Sequence, residues 1–289
     1  MKSFSIIGAG KVGTSLGRAL VEAGYTIKSL SCLTLTEAKE SQRIIGKGEP
    51  SKNNIHAAQN GEILFITVPD DRITDIVQEL DFSDIIWQEK TVFHCSGLLP
   101  SEVLSPLRTK GASTASLHPI QSFSFKHAAP SLLQNVYFSL EGQEEAVFTA
   151  KNIAHDLGGH SIRISPEDKP MFHAAFSMTS NFFVVLLDSA VALLKSSGLS
   201  EEKAVQILHP LLDGTLNNIL DSRIRSALTG PIIRGDGQTV KAHLGALKKI
   251  PGVKDVYRQL AVRALEMAKE EKTLTAQKIK ELSRILEDK

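Results

Sequence analysis

Ser3-Phe4-Ser5-Ile6-Ile7 is a short, mostly apolar run, and Gly8-Ala9-Gly10-Lys11-Val12-Gly13 follows it without a gap. Residues 14–21 then read as a helix, so the glycines fall between a strand and a helix, the context that gives G-x-G-x-x-G its meaning. Each glycine has a task. Gly8 turns the chain sharply out of the strand, Gly10 leaves the backbone open to a pyrophosphate, and Gly13 lets the helix lie close to the sheet. The helix N-terminus adds free N–H groups and the positive end of its dipole. Gly8, Gly10, Lys11, Val12 and Gly13 are therefore expected to bind a dinucleotide; a glycine-rich turn without a ligand is the plainer alternative.

A chain of 289 residues suggests two domains. With 33 basic and 32 acidic residues, no strong field calls for nucleic acid or an anionic membrane surface as partner. Cys32 and Cys95 are the only cysteines. They make neither a metal-type pair nor a disulfide framework, and a reducing cytoplasm fits. The N-terminus runs straight into a strand, so no signal peptide is expected. The longest apolar stretch, residues 171–194, holds His173, Asn181 and Asp188. It is expected to be a buried helix of a water-soluble protein rather than a membrane span.

Residues 25–32 read as the second strand. An acidic residue usually closes that strand and holds the ribose 2′-hydroxyl of NAD. Here the positions are Ser31, Cys32, Leu33 and Thr34, with no acid before Glu37. This end leaves room for a 2′-phosphate and favours NADP, with NAD possible. Lys39 and Arg43 are conceivable phosphate partners or simply solvated helix charges. Residues 62–68 form a near-continuous apolar strand of the kind covered on both faces. Pro69-Asp70-Asp71 ends it, with the aspartates expected to cap the next helix. Thr67, Val68 and Pro69 thereby reach the carboxyl edge of the sheet, where such folds hold ligands.

Residues 90–95 and 112–117 are further strands, placing His94, Ser96 and His118 on the same edge. Ser101 is expected to cap a helix near residues 102–110. Residues 135–141 and 160–164 complete the strands, with a helix to about residue 157 between them. Beyond Ser165 the pattern becomes purely helical. The expected fold is thus α/β: an N-terminal Rossmann-like parallel sheet over residues 1–164, then an all-α domain over 165–289. Ser165-Pro166-Glu167-Asp168 should start a long helix reaching about residue 196. Lys169, His173, Ser177 and Asn181 recur every fourth residue, one polar stripe on an apolar helix. Helices follow near residues 201–222, 239–248, 253–269 and 273–286. Residues 228–237, with three glycines and a proline, should form an ordered turn or hinge rather than a helix.

These motifs in order resemble a family that joins a Rossmann-like domain to a C-terminal helical domain long catalogued as of unknown function. Its plan is similar to the 6-phosphogluconate dehydrogenase superfamily, which includes ketopantoate and pyrroline-5-carboxylate reductases. The resemblance rests on the glycine turn, Val68-Pro69-Asp70-Asp71, His94-Cys95-Ser96-Gly97 and the run from Ser116 to Phe123. Glu167-Asp168-Lys169, His173-Ala174-Ala175, Ser180-Asn181 and the run from Leu228 to Asp236 extend it over nearly the whole chain. It implies an NADP-dependent oxidoreductase of a small carbonyl substrate, and for some bacterial members an alternative ketopantoate reductase of pantothenate synthesis. It also implies a homodimer. Many relatives carry an arginine after the second strand that grips a 2′-phosphate; this chain has none.

Hydride transfer to a carbonyl carbon leaves charge on the oxygen, which a donor must stabilise and protonate. In the superfamily a lysine and an asparagine on the long helix do this. Lys169, His173 and Asn181 are the matching kinds of residue here, with His173 expected as the acid, Asn181 as the positioning group and Lys169 as the substitute. The plainer reading of Lys169, beside two acids, is a salt-bridged surface residue. Ser96 and His118 are expected from the sheet side, with Val68, Pro69 and Ser96 against the cofactor and Arg234 as the cation for an acidic substrate. A pyrroline-5-carboxylate-type imine reductase and a non-catalytic dinucleotide sensor are the alternatives. No metal site is expected.

Overall fold

The computed structural model describes residues 2–126 and 129–287. It divides into two compact units, residues 1–180 and 181–289. The first holds eight strands: β1 (Ser3–Ile7), β2 (Thr26–Ser31), β3 (Glu49–Ser51), β4 (Ile63–Ile66), β5 (Thr91–His94), β6 (Ser113–Pro119), β7 (Tyr137–Gly142) and β8 (His160–Arg163). Their order in the sheet is β3-β2-β1-β4-β5-β6-β7-β8. Every neighbouring pair is parallel except β6 and β7, which run antiparallel. Its helices are α1 (Lys11–Glu22), α2 (Leu35–Ile45), α3 (Asn54–Asn60), α4 (Asp70–Asp81), α5 (Ser105–Thr109), α6 (Glu144–Asp156) and α7 (Lys169–Thr179).

Phe4, Ile6, Phe65 and Phe93 form one face of the sheet and pack with Leu16, Leu20, Ala38 and Ile153 from α1, α2 and α6. Ile7, Leu64, Ile66 and Val92 form the other and meet Ala57, Ile73, Val77 and Leu107 from α3, α4 and α5. Burying the sheet on both sides explains why its central strands read as continuous apolar runs.

The second unit holds α8 (Asn181–Ser196), α9 (Glu201–Asp221), α10 (Pro231–Arg234), α11 (Gly237–Ala246), α12 (Pro251–Glu270) and α13 (Ala276–Glu287). Val240, Leu244, Leu265 and Leu282 centre its core.

Three expectations are corrected here. The helix begins at Lys169 rather than Pro166, since residues 165–168 form a turn in which the Ser165 hydroxyl bonds Asp168. Residues 228–237 contain one helical turn, α10, set between Gly230 and Gly235, both at positive φ. The apolar stretch is not buried in the chain: Phe182 is 60% and Val184 65% exposed, and Val191 is the buried residue of α8. By length and composition, Lys169–Ser196 meets the minimum for a membrane span. Its first residue, however, is a lysine hydrogen-bonded inside the first unit.

Candidate active site

The glycine turn has the local geometry its sequence demands. Gly8 sits at φ +83, and a Cβ there would press on Val68. A Cβ at Gly10 would find only the Gly8 carbonyl, 3.8 Å away, so this stretch of backbone is open to a ligand. At Gly13 a Cβ would drive into Thr67 and the Gly8 carbonyl. Thr67 Oγ1 donates to the Gly8 carbonyl at 2.7 Å, so this threonine braces the turn from below. Lys11 is exposed and Val12 half-buried at the first turn of α1.

At the end of β2, Glu37 is taken up by the N-terminus of α2. Its carboxylate accepts from Thr34 N–H and Oγ1, and Thr34 Oγ1 accepts from Glu37 N–H. This capping box leaves residues 31–36 without a carboxylate free to claim a ribose hydroxyl. Lys39 and Arg43 are exposed on α2. The turn and the strand end thus fit a dinucleotide, including one with a 2′-phosphate.

A cavity of about 220 Å³ opens beside the turn, at the carboxyl edge of β4, β5 and β6. Val12, Asp70, Ser96, Gly97, His118 and His173 stand on its wall. Asp70 and Asp71 do not cap α4 with their side chains; Pro69 holds the N-cap position. Asp70 instead accepts the Ser96 hydroxyl at 2.7 Å, and it also gains from the α4 dipole. Ser96 Oγ accepts the Leu98 and Leu99 N–H groups, so its hydroxyl is fully engaged in shaping the loop and fixing Asp70.

His118 and His173 approach edge-to-face with centroids 6.4 Å apart, and His118 stacks on Phe176 at 6.2 Å. Both rings rest on Gly97. An ideal Cβ there would lie 2.8 Å from His173 Cδ2 and 2.9 Å from His118 Nε2. His118 Nδ1 faces the Ser139 hydroxyl at 3.4 Å. Burial, then the charges of Lys169 and His173, pushes His118 down to about 4. Burial, with Lys169 as the next cause, pushes His94 to about 3. Both imidazoles are therefore neutral at pH 7. His94 lies wholly behind the wall and accepts Ser96 N–H on Nδ1.

Lys169 is not a salt-bridged surface residue. It is fully buried, and its Nζ donates to Ser116 Oγ at 2.7 Å and to the Ser96 carbonyl at 3.3 Å. Desolvation lowers it to about 8, against the opposing pull of Glu141, Asp70 and Cys95. Burial pushes the Cys95 thiol up to about 12, so it is inert. The structure thus gathers Val12, Ser96, His118 and His173 around one cavity, with Lys169 behind it. Asn181, exposed, opens α8 in the second unit; Arg234, also exposed, closes α10 there.

Ser116, Gly97, Asp70 and Glu141 did not emerge from sequence reasoning as site residues. Ser101 does not cap through its side chain: its N–H and Oγ donate to the Glu141 carboxylate at 2.7 and 2.5 Å. The available signal was a glutamate at the inner end of an otherwise apolar strand.

Residues 2–119 match the Rossmann-like domain, and residues 136–264 match a domain of unknown function, DUF2520. A Bacteroides fragilis structure assigned to the NADP oxidoreductases superposes with a TM-score of 0.78 at 23% identity, covering 91% of this chain and 97% of that one. The Aspergillus terreus reductive aminase, solved with NADPH and ethyl-5-oxohexanoate, gives a TM-score of 0.69 at 15% identity, covering 92% and 94%. Imine reductases and pyrroline-5-carboxylate reductases recur among other structures of this fold. A pyrroline-5-carboxylate reductase of an Acremonium species is 22% identical over 195 residues, 65% of this chain. The match spans about three fifths (61%) of that relative's length. The chain joins a Rossmann-like domain to a DUF2520 domain.

Proposed function

We propose that the chain is an NADPH-dependent reductase acting on the C=N bond of a small imine. The observation that carries this is the cavity where Asp70, His118 and His173 meet beside Val12 of the glycine turn. The pyrroline-5-carboxylate and imine reductases among its relatives support the same reading.

When bound, the reduced nicotinamide supplies the hydride. The residues of the chain bind, orient and balance charge. Gly10 and the α1 N-terminus take the pyrophosphate, and the acid-free end of β2 tolerates the 2′-phosphate. An imine accepts hydride as its protonated iminium. His173, on the cavity wall, is the proton donor. The Asp70 carboxylate, fixed by Ser96, offsets the iminium charge. Neutral His118 donates or accepts a hydrogen bond without bringing a second cation into the cavity. Once the carbon receives the hydride, the nitrogen is a neutral amine.

The 2-dehydropantoate reading is the weaker one. The relatives, pyrroline-5-carboxylate and imine reductases among them, favour imines. Asn181 and Arg234 keep the positioning and carboxylate-binding roles only as proposals. The exposed apolar residues of α8 and α9, among them Phe182, Phe183, Leu211 and Leu220, support a homodimer that covers them.

The test is loss of NADPH absorbance with cyclic imines and with 2-oxo acids, each repeated with NADH. Turnover of imines with NADPH is expected. Turnover of 2-oxo acids alone would return the reading to a ketopantoate-type reductase, and NADPH binding without turnover of any substrate would favour a sensor.

A further inference from the structure

Among the described residues, Lys169 and Glu141 are the only lysine, arginine, aspartate or glutamate that are buried. Neither makes an ion pair. Lys169 Nζ donates to a serine hydroxyl and a carbonyl, and Glu141 accepts from Ser101 N–H and Oγ. Isolated buried charges are costly, and an opposite charge nearby offsets part of that cost. The sheet brings these two together. Ser116, the acceptor of the Lys169 proton, lies directly across the antiparallel β6–β7 pair from Glu141. Directly opposed residues share a face, with Cβ atoms about 5 Å apart.

We propose that Glu141 is the counter-charge of Lys169, a positioning residue that keeps the ammonium protonated inside the wall, where its charge adds to the burial that holds His94 and His118 neutral. The other groups facing Lys169 do not replace it. From β5 and its end come His94 and Cys95, from β6 His118, and from its own helix His173. None of these supplies an anion: His94 and His118 are neutral and the Cys95 thiol keeps its proton. From α4 comes Asp70, whose carboxylate is bonded to Ser96 and turned to the cavity. Glu141 is the largest of the charges that hold Lys169 up. Ser101 fixes that carboxylate and is the reason a short helical turn at residues 101–104 packs on β7. The relevance to turnover rests on the imine-reductase reading, but the state of Lys169 does not.

The test is an NMR titration of the full chain labelled at lysine Cε, with the Lys169 signal identified by its loss in K169M. In wild type the midpoint is expected near 8. Glu141→Gln is expected to weaken proton affinity at Lys169 more than tenfold, and Glu141→Asp by less. In K169M, where the neighbouring cation is gone, the His118 ring signals are expected to titrate at higher pH than in wild type. Should E141Q fail to fold, Ser101→Ala, which removes one bond to the carboxylate, is expected to shift Lys169 in the same direction by a smaller amount. A Lys169 midpoint unchanged in E141Q, or in S101A where only that variant folds, overturns the proposal. No substrate enters this titration, so absence of imine turnover would sink the functional reading and leave this result standing.

Discussion

Gly97→Ala is the sharpest single perturbation of the site. The φ of Gly97 is not in the positive region, so alanine brings no backbone strain and acts only through its methyl. That methyl would sit 2.8 Å from His173 Cδ2 and 2.9 Å from His118 Cε1 and Nε2. Ordinary carbon contacts begin at about 3.5 Å, so each ring must retreat by about 0.6 Å or more. His118 is backed by Phe176, so the free direction is into the cavity. Overpacking of this kind costs about 1–3 kcal/mol of stability. Displacement by about 1 Å at a reacting group can cost about a hundredfold in rate. We expect kcat/KM for the imine to fall by about 10- to 100-fold, in the same steady-state NADPH assay, while NADPH affinity stays within about threefold. Gly214→Ala is the control. Nothing lies within 4 Å of that helical glycine, so stability should rise by up to about 1 kcal/mol with turnover unchanged. Wild-type kcat and KM in G97A would refute the argument that the two imidazoles act from where Gly97 lets them rest.

His173→Ala should lower kcat by about 10²–10⁴ while NADPH affinity, read by fluorescence titration, is preserved. Equal loss of both would assign His173 to the cofactor instead. Stability should also depend on acid. His94 and His118 take up protons at about 3 and 4 when folded, against about 6.5 unfolded. The unfolded chain binds protons first, so stability present above about pH 6.5 is lost towards pH 4, with a slope approaching about 2.7 kcal/mol per unit when both contribute. Urea midpoints that stay flat from pH 7 to 5 would contradict this. Light scattering after gel filtration should give twice the chain mass, and a monomer would leave the apolar faces of α8 and α9 unexplained.

The glycine turn and the β/α alternation were legible because local chemistry dictates them: Gly8, Gly10 and Gly13 have no substitutes, and buried parallel strands must be apolar throughout. Strand β3 and helix α3 were not. Glu49-Pro50-Ser51 is three polar or proline residues at the sheet edge, too short for a period. Nor was the reversal at β7, although the described residues between 120 and 136 hold no α-helix. A parallel neighbour requires a crossover of a dozen or more residues, usually helical, and that missing helix was the clue. Lys169 misled for a different reason. Glu167 and Asp168 mark its neighbourhood as surface, while the groups that bury it, Ser96 and Ser116, stand 73 and 53 residues away in sequence. His118 and His173 could be listed from sequence, but only the fold sets them on either side of Gly97.

The central claim is that the redox ring of a bound nicotinamide cofactor lies between the glycine turn and the two imidazoles. A crystal structure of the chain with NADP⁺ tests it directly. The account predicts the pyrophosphate on Gly10 and the α1 N-terminus, the 2′-phosphate at the end of β2, and the nicotinamide beside Gly97 within contact of His118 or His173. A glycine turn left empty at saturating cofactor, or a nicotinamide lodged away from that cavity, would contradict it.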